Sequence, residues 1–253
     1  MRIQNLHDLI NAVEHVEKIF KTEAWWRGQS EDWPLLSGIH RPELCPQEKR
    51  DQCERDLTIR FLLGAKTRHG HWPEGDYALQ LAMMQHYRLP TRLLDWTESP
   101  LFALFFAVQN SDDKAGVLWA LSPSKLNQKE FQTSMLLSPS NPSHKDVQTL
   151  FKAPFGISDE NVDKVACVVI RHIDIRMTVQ LSVFSIHGSK VPLNEYEGKD
   201  QFLIKFEIPP ESKGMLRLKL ISLGVRESSL FPDLDHLADE LKKMVKQSLI
   251  PGI

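Results

Sequence analysis

The chain has 253 residues, 42% of them hydrophobic and 25% charged, with a formal net charge of -2 and a sequence pI near 6.6. That is the size of one large domain or two small ones, with length enough to bury a sizeable core. The near-neutral balance excludes a global electrostatic signature for nucleic acid or an anionic membrane, and leaves room only for a local basic patch.

Cys45, Cys53 and Cys167 cannot all pair, and their spacing fits neither a disulfide framework nor a CxxC metal knuckle. The simpler reading is a reducing, cytoplasmic setting. Met1 to Ala12 lacks a basic region followed by an apolar one, so no signal peptide is expected. No apolar run reaches the roughly 18 residues that a membrane span needs.

Residues 5–20 place Leu6, Leu9, Ile10, Val13, Val16, Ile19 and Phe20 at helical spacing, which predicts an amphipathic helix packed on the rest of the chain. A short strand follows over Ala24 to Gly28, then a loop around residues 33–38. Residues 47–67 read as a long helix with Leu57, Phe61 and Leu62 on its apolar face, and residues 76–87 as another. Pro90 stops that helix, because the residue before a proline is pushed out of the α region. Thr91 to Trp96 reads as a strand or tight turn. Thr97 or Ser99 can cap a helix over 100–109 with Pro100 in its first turn, and that helix is apolar nearly all round, hence buried.

Residues 116–121 form a strand. Residues 122–164 are polar and rich in Ser, Asn, Pro and Lys, a long connection with some helix that reads as an insertion or lid. Strands are expected over 165–171, from Val179 to Ile186 and from Gln201 to Ile208, with helices near 209–222 and 233–247. The mixture predicts an α/β or α+β single domain, a mixed β-sheet flanked by helices, with residues 1–20 as its packed helix and 21–250 as its body.

Two segments carry more polar and aromatic chemistry than a core requires. In Trp25-Trp26-Arg27-Gly28-Gln29-Ser30 the guanidinium of Arg27 offers a rigid fork for phosphate or carboxylate, and Gly28 permits close approach of a ligand to the backbone. A strand end with Arg27 in a structural ion pair is the alternative. The second segment runs from Gln85-His86-Tyr87-Arg88-Leu89-Pro90 through Thr91-Arg92-Leu93-Leu94-Asp95-Trp96-Thr97. His86 can move a proton near neutral pH or simply face a helix dipole. Arg92 and Asp95 are candidates for a buried pair that shapes the loop. The Thr97-Glu98-Ser99 turn is an anion site or only a cap. His69-Gly70-His71 reads as a loop, and no metal site is expected. P-loop, GxSxG, HExxH and GxGxxG patterns are absent.

These two segments, followed by Pro100-Leu101 through Phe106-Ala107, resemble the FRG domain, a bacterial and phage family named for an aromatic-Arg-Gly motif. Arg176-Met177-Thr178-Val179-Gln180, Phe184-Ser185-Ile186-His187-Gly188 and Leu230-Phe231-Pro232-Asp233-Leu234-Asp235 also look like it, so that the resemblance covers about residues 20–240. Two departures stand out. The family usually has glycine directly after the His-aromatic pair, where this chain has Arg88. It usually has Gln-Gln-Gly before the later phenylalanine, where this chain has Gln180-Leu181-Ser182-Val183.

The order of elements is similar to the ADP-ribosyltransferase plan, a likeness at the level of fold. What it implies is an NAD-using transferase-like or glycohydrolase-like effector in toxin or phage-defence biology. Arg27, His86 and Gln180 would converge on the ligand, with Gly28, Gln29, Tyr87, Thr91, Arg92, Asp95 and Thr97 around it. NAD would be the substrate, and a protein or nucleic acid the acceptor. Gln180 would stand where the plan has glutamate, able to hydrogen-bond but unable to supply the negative charge that steadies a ribosyl cation. Glu195 and Glu197 are nearby substitutes in the sequence. The alternative is a module that binds a nucleotide or nucleic acid without turnover.

Overall fold

In the computed structural model, Asn5 caps the first helix, α1 (Leu6–Phe20), through a reciprocal arrangement with Asp8, and Leu9, Ala12, Val16 and Phe20 form its buried stripe. The helix stops at Lys21, whose backbone turns left-handed. The structure describes residues 1–70 and 72–248. His71, and with it the end of the His69-Gly70-His71 loop reading, lies outside the described residues, as do residues 249–253, which include the expected end of the domain body.

Six strands form one sheet: β1 (Trp25–Gln29), β2 (Leu93–Thr97), β3 (Gly116–Leu121), β4 (Val165–Val168), β5 (Ser182–His187) and β6 (Leu203–Ile208). Their order is β4-β5-β2-β1-β3-β6, and every pairing between them is antiparallel. Isolated parallel bridges, Arg2 to Glu207 and Leu137 to Val168, extend it at either edge. The remaining helices are α2 (Arg50–Arg68), α3 (Tyr77–His86), α4 (Pro100–Val108), α5 (Pro123–Phe131), α6 (Lys145–Lys152), α7 (Ile175–Val179), α8 (Pro210–Ser222), α9 (Glu227–Leu230) and α10 (Leu234–Ser248).

Strand side chains alternate between the faces of a sheet, and the core divides accordingly. On one face Trp26, Leu118, Ala120, Phe206 and Ile208 pack against residues of α1, α4 and α8. On the neighbouring strands Leu93, Phe184, Ile186, Ala166 and Val168 pack against α3, α6 and Met177. The opposite face is continuous across the sheet, with Trp25, Trp119, Leu94, Trp96 and Cys167 under Leu126 and Phe202. Ser99 caps α4 and Pro100 opens it, as expected, and Ala103, Leu104, Ala107 and Val108 are fully buried.

Four expectations change. Val179 to Ile186 is not one strand: α7 ends at Val179, Leu181 turns left-handed with φ 49°, and β5 begins at Ser182. The strand expected to run to Arg171 ends at Val168. Cys45 and Cys53 are joined in a disulfide, and Cys167 alone is free and buried. An eight-residue separation across a loop and a helix start matches no common framework, which hid the pairing. Residues 122–164 fold into α5 and α6 and pack on the sheet. Asn127 bonds the Cys167 backbone in both directions, and Val147, Leu150 and Phe151 join the core beside β4 and β5, so the segment is no lid over the cleft described next.

Among the described residues no helix is long and apolar enough to cross a membrane.

Candidate functional site

The sheet parts in its middle. β1 pairs with β3 over five residues and β2 with β5 over five, but β1 and β2 meet only at Trp26 and Thr97. Beyond that point the strands diverge, and a cavity of about 930 Å³ occupies the opening. Its size falls within the range of small-molecule and cofactor sites. Arg27, Gly28 and Gln29 of β1 and Leu93, Leu94 and Asp95 of β2 line it, together with Arg41, Arg88, Arg176 and Gln180.

Arg27 replaces the missing ladder. Its Nη1 donates to the main-chain carbonyl of Asp95 at 2.6 Å, a side chain bridging two strands where backbone bonds would otherwise run. Its Nε is buried with no partner among the described residues. Burial lowers the Arg27 pKa most, Asp95 raises it and Arg41 lowers it further. Arginine keeps its charge through such shifts, so the site holds a half-buried cation with one buried, unfilled donor.

Asp95 belongs to the β2 side. Its carboxylate accepts from Gln85 Nε2 at 2.6 Å, and Gln85 Oε1 accepts from the Thr91 hydroxyl at 2.7 Å. The end of α3 thus aims the one carboxylate that stands on a strand of the cleft. Asp95 is exposed although its strand neighbours Leu94 and Trp96 are buried. Across the opening, Arg176 lies over the Phe231 ring at 4.5 Å. Burial lowers its pKa first, with Asp95 raising and Arg88 lowering it.

The residues expected to converge do so only in part. Arg27, Gly28, Gln29, Asp95, Thr97 and Gln180 line the cavity; His86, Tyr87, Thr91 and Arg92 do not. His86 ends α3 on another side, 4.0 Å from Asp174. Burial lowers its pKa first, against the opposing pull of Asp174. Tyr87 stacks edge-on against His86 and is exposed. Thr91 is buried and holds Gln85 and the Leu93 amide.

Arg92 does not pair with Asp95. It forms a forked ion pair with Glu54 of α2, Nε to Oε1 at 2.9 Å and Nη2 to Oε2, and both side chains are buried. Neighbouring residues on a strand point to opposite faces, so Arg92 at an odd separation from Asp95 meets other company.

Four lining residues are also occupied structurally. A methyl group on Gly28 would lie 1.7 Å from the Ala103 carbonyl, so this glycine admits α4 rather than a ligand. Gln29 accepts from Trp119 Nε1 at 2.8 Å. Gln180 Nε2 donates to the Leu230 carbonyl at 2.9 Å, and the Thr97 hydroxyl donates to the Gln180 carbonyl at 2.7 Å.

Sequence reasoning missed Arg41 and Glu43 as lining residues, while Gln85, which opens the second segment, lines the cavity as well. Arg41 and Glu43 lie in a stretch without pattern, and the only available signal was its nearness to Cys45. Lys213 was missed too: its buried ammonium donates to the carbonyls of Ser30, Asn110 and Ser111 and fixes the far end of the cleft. Cys167 is buried and its thiol pushed well up by burial, so it is no nucleophile. Trp25, Trp26 and Trp96 are core residues, whereas Trp33 is 48% exposed at the cavity wall.

Residues 22–116 match the FRG domain, which spans β1 to the start of β3 and contains most of the cleft; the segments holding Arg176, Gln180 and Phe231 lie beyond the match. No curated protein and no solved structure matches the chain at a significant level.

Proposed function

We propose that this chain, which carries an FRG domain over residues 22–116, binds an NAD-like nucleotide in the parting between β1 and β2. The supporting observation is the lining of that opening: four arginines, Arg27, Arg41, Arg88 and Arg176, against two carboxylates, Glu43 and Asp95, beside the indole of Trp33. Guanidinium groups suit phosphate oxygens, and an exposed indole suits a base or nicotinamide face.

In the ADP-ribosyltransferase-like or NAD glycohydrolase-like form of this reading, the carboxylate is Asp95 and not Gln180, which is tied to Leu230. The bond from ribose C1′ to the nicotinamide nitrogen breaks and its electron pair leaves on nicotinamide. Asp95 steadies the positive charge on the ribose. A water oxygen bonds to C1′ and its proton passes to solvent, so NAD⁺ and water give ADP-ribose, nicotinamide and a proton. Replacing the water with a protein or nucleic-acid acceptor makes the same step a transfer. Depletion of cytoplasmic NAD is the route by which a toxin or phage-defence role would act. A second reading, a nucleotide-binding module without turnover, is favoured by the lack of a glutamate at position 180.

The test is nicotinamide release by purified protein, with Asp95→Asn as control and melting temperature read alongside. Release at least 100-fold weaker in the variant, with its NAD-induced stabilisation kept, supports the enzyme. Stabilisation without release from the parent protein supports the module. Neither release nor stabilisation overturns NAD as the ligand.

A further inference from the structure

We propose that α10 (Leu234–Ser248) is a self-association surface, on which a second copy of this chain docks the same helix antiparallel to the first.

At about 100° of rotation per residue, Leu234, Leu237, Leu241 and Met244 fall on one stripe of α10. A surface helix ordinarily turns such a stripe to the core. Here, among the described residues, it faces solvent: the four side chains belong to residues 80%, 43%, 52% and 51% exposed. The helix is fastened to the body by a different, polar face. His236 stacks on Phe231 with ring centroids 4.5 Å apart. Glu240 accepts from the Ser228 amide at 3.1 Å and lies 3.7 Å from Arg226, and Lys243 donates to Glu227 at 2.6 Å. Positions 236, 240 and 243 have the spacing of one helix face. The helix is thus held with its apolar side outward, and none of the four stripe residues lines the cleft.

The stripe advances by 3, 4 and 3 residues, the spacing of a two-helix seam. The charges beside it name the occupant. One flank is taken by α9 through Glu240. The open flank carries exposed Asp235 at the start of the helix and exposed Lys242 about two turns later. When a copy lies antiparallel, with Leu237 opposite the partner's Leu241, open flank meets open flank. Asp235 then stands against the partner's Lys242, and the two-fold symmetry repeats the contact at the other end. A parallel copy would bring the open flank against the one filled by α9. Lys242 already reaches Asp239 of its own helix at 2.8 Å, so the new pairs extend an exposed network. A lipid surface fits this face less well, because Asp235 and Asp239 stand where an interfacial helix carries lysine and arginine. The seam of a 15-residue helix is small for a specific interface, so pairing depends on concentration.

The experiment is sedimentation velocity of the full chain at low salt, over a dilution from about 300 µM to about 1 µM. The expected result is a dimer that dissociates on dilution, and a Leu237→Glu/Leu241→Glu variant that stays monomeric with the melting temperature of the parent monomer. Asp235→Lys and Lys242→Asp each weaken association about tenfold, since each sets like charges opposite one another at two places. An equimolar mixture of these two variants regains the association of the parent, because the mixed pair places opposite charges at both contacts. A parent that is monomeric throughout overturns the proposal. So does a dimer that survives the leucine variant, which puts the contact elsewhere, and so does a mixture that associates no better than its components, which removes the antiparallel arrangement. Monomers that co-sediment with phosphatidylserine vesicles through the same leucines overturn it too, and give the face to a lipid.

Discussion

Arg92 and Glu54 carry opposite charges into a space where their side chains are only 9% and 5% exposed. Desolvating two ions is offset here by a forked geometry in which two donors meet two acceptors. Removing one partner strands the other. Glu54→Ala is therefore expected to lower unfolding free energy by about 3–5 kcal/mol, while Glu54→Leu combined with Arg92→Met recovers most of that loss. Urea denaturation midpoints at constant slope measure both. A single variant as stable as the parent would show the pair to be idle. The ion pair also explains why α2 buries Arg50, Glu54 and Thr58 while the expected apolar residues Leu57, Phe61 and Leu62 are only half-buried. Sequence spacing reveals which residues share a helix face. It does not reveal that a residue 38 positions away supplies the charge that makes a polar face the inner one.

Elements defined by local rules were legible. Ser99 with Pro100 and the stop before Pro90 each depend on neighbours within a few residues, and each helix starts or ends close to where they indicate. Elements defined by partners far along the chain were not. Gly28 is small because α4 crosses it, and Gln180 sits in a turn because α7 intervenes before β5. Arg27 and Asp95 were recognisable as unusual residues, but their meeting in a parted sheet depends on strand order. The Cys45–Cys53 disulfide belongs to this second group. It fastens the loop bearing Arg41, Glu43 and Leu44 to α2, next to Glu54. Closing so short a loop contributes about 2–3 kcal/mol on the chain-entropy account. Dithiothreitol is expected to lower the melting temperature of the parent and weaken its nucleotide binding several-fold. A Cys45→Ser/Cys53→Ser double variant should begin at that lower level and not respond. An equal response of both proteins to the reductant would dissociate the disulfide from the cleft.

Across the whole molecule, two buried histidines set the behaviour in acid. His40 and His187 are both depressed to about 3, by burial first, then by Arg27 acting on His187 and by His187, Arg92, Arg50 and Lys190 acting on His40. Unfolded, each would take a proton near pH 6.5. The folded state therefore binds fewer protons than the unfolded state between those values. The histidine contribution is intact above about pH 6.5 and is lost as pH falls toward 3, at up to roughly 1.4 kcal/mol per pH unit for each histidine. Unfolding free energies between about pH 6 and pH 4 should show this slope, reduced by about half in His187→Gln, which retains a partner for the Ser185 hydroxyl. An unchanged slope would assign acid sensitivity to other groups.

The parting between β1 and β2 has a further consequence at this scale. An ordinary open sheet has two edges, and here the outermost strands β4 and β6 are each extended by a bridge. Dividing the sheet at its centre creates two more, lined with backbone donors and acceptors that have no strand opposite them. Such edges invite any extended segment, including one from a neighbouring molecule. Arg27 occupies the gap like a bolt, its guanidinium taking the carbonyl that an intruding strand would claim. A variant lacking Arg27 thus reports on the integrity of the sheet as much as on the ligand, and Asp95, Arg88 and Arg176 are the positions where the cleft can be questioned without unbolting it.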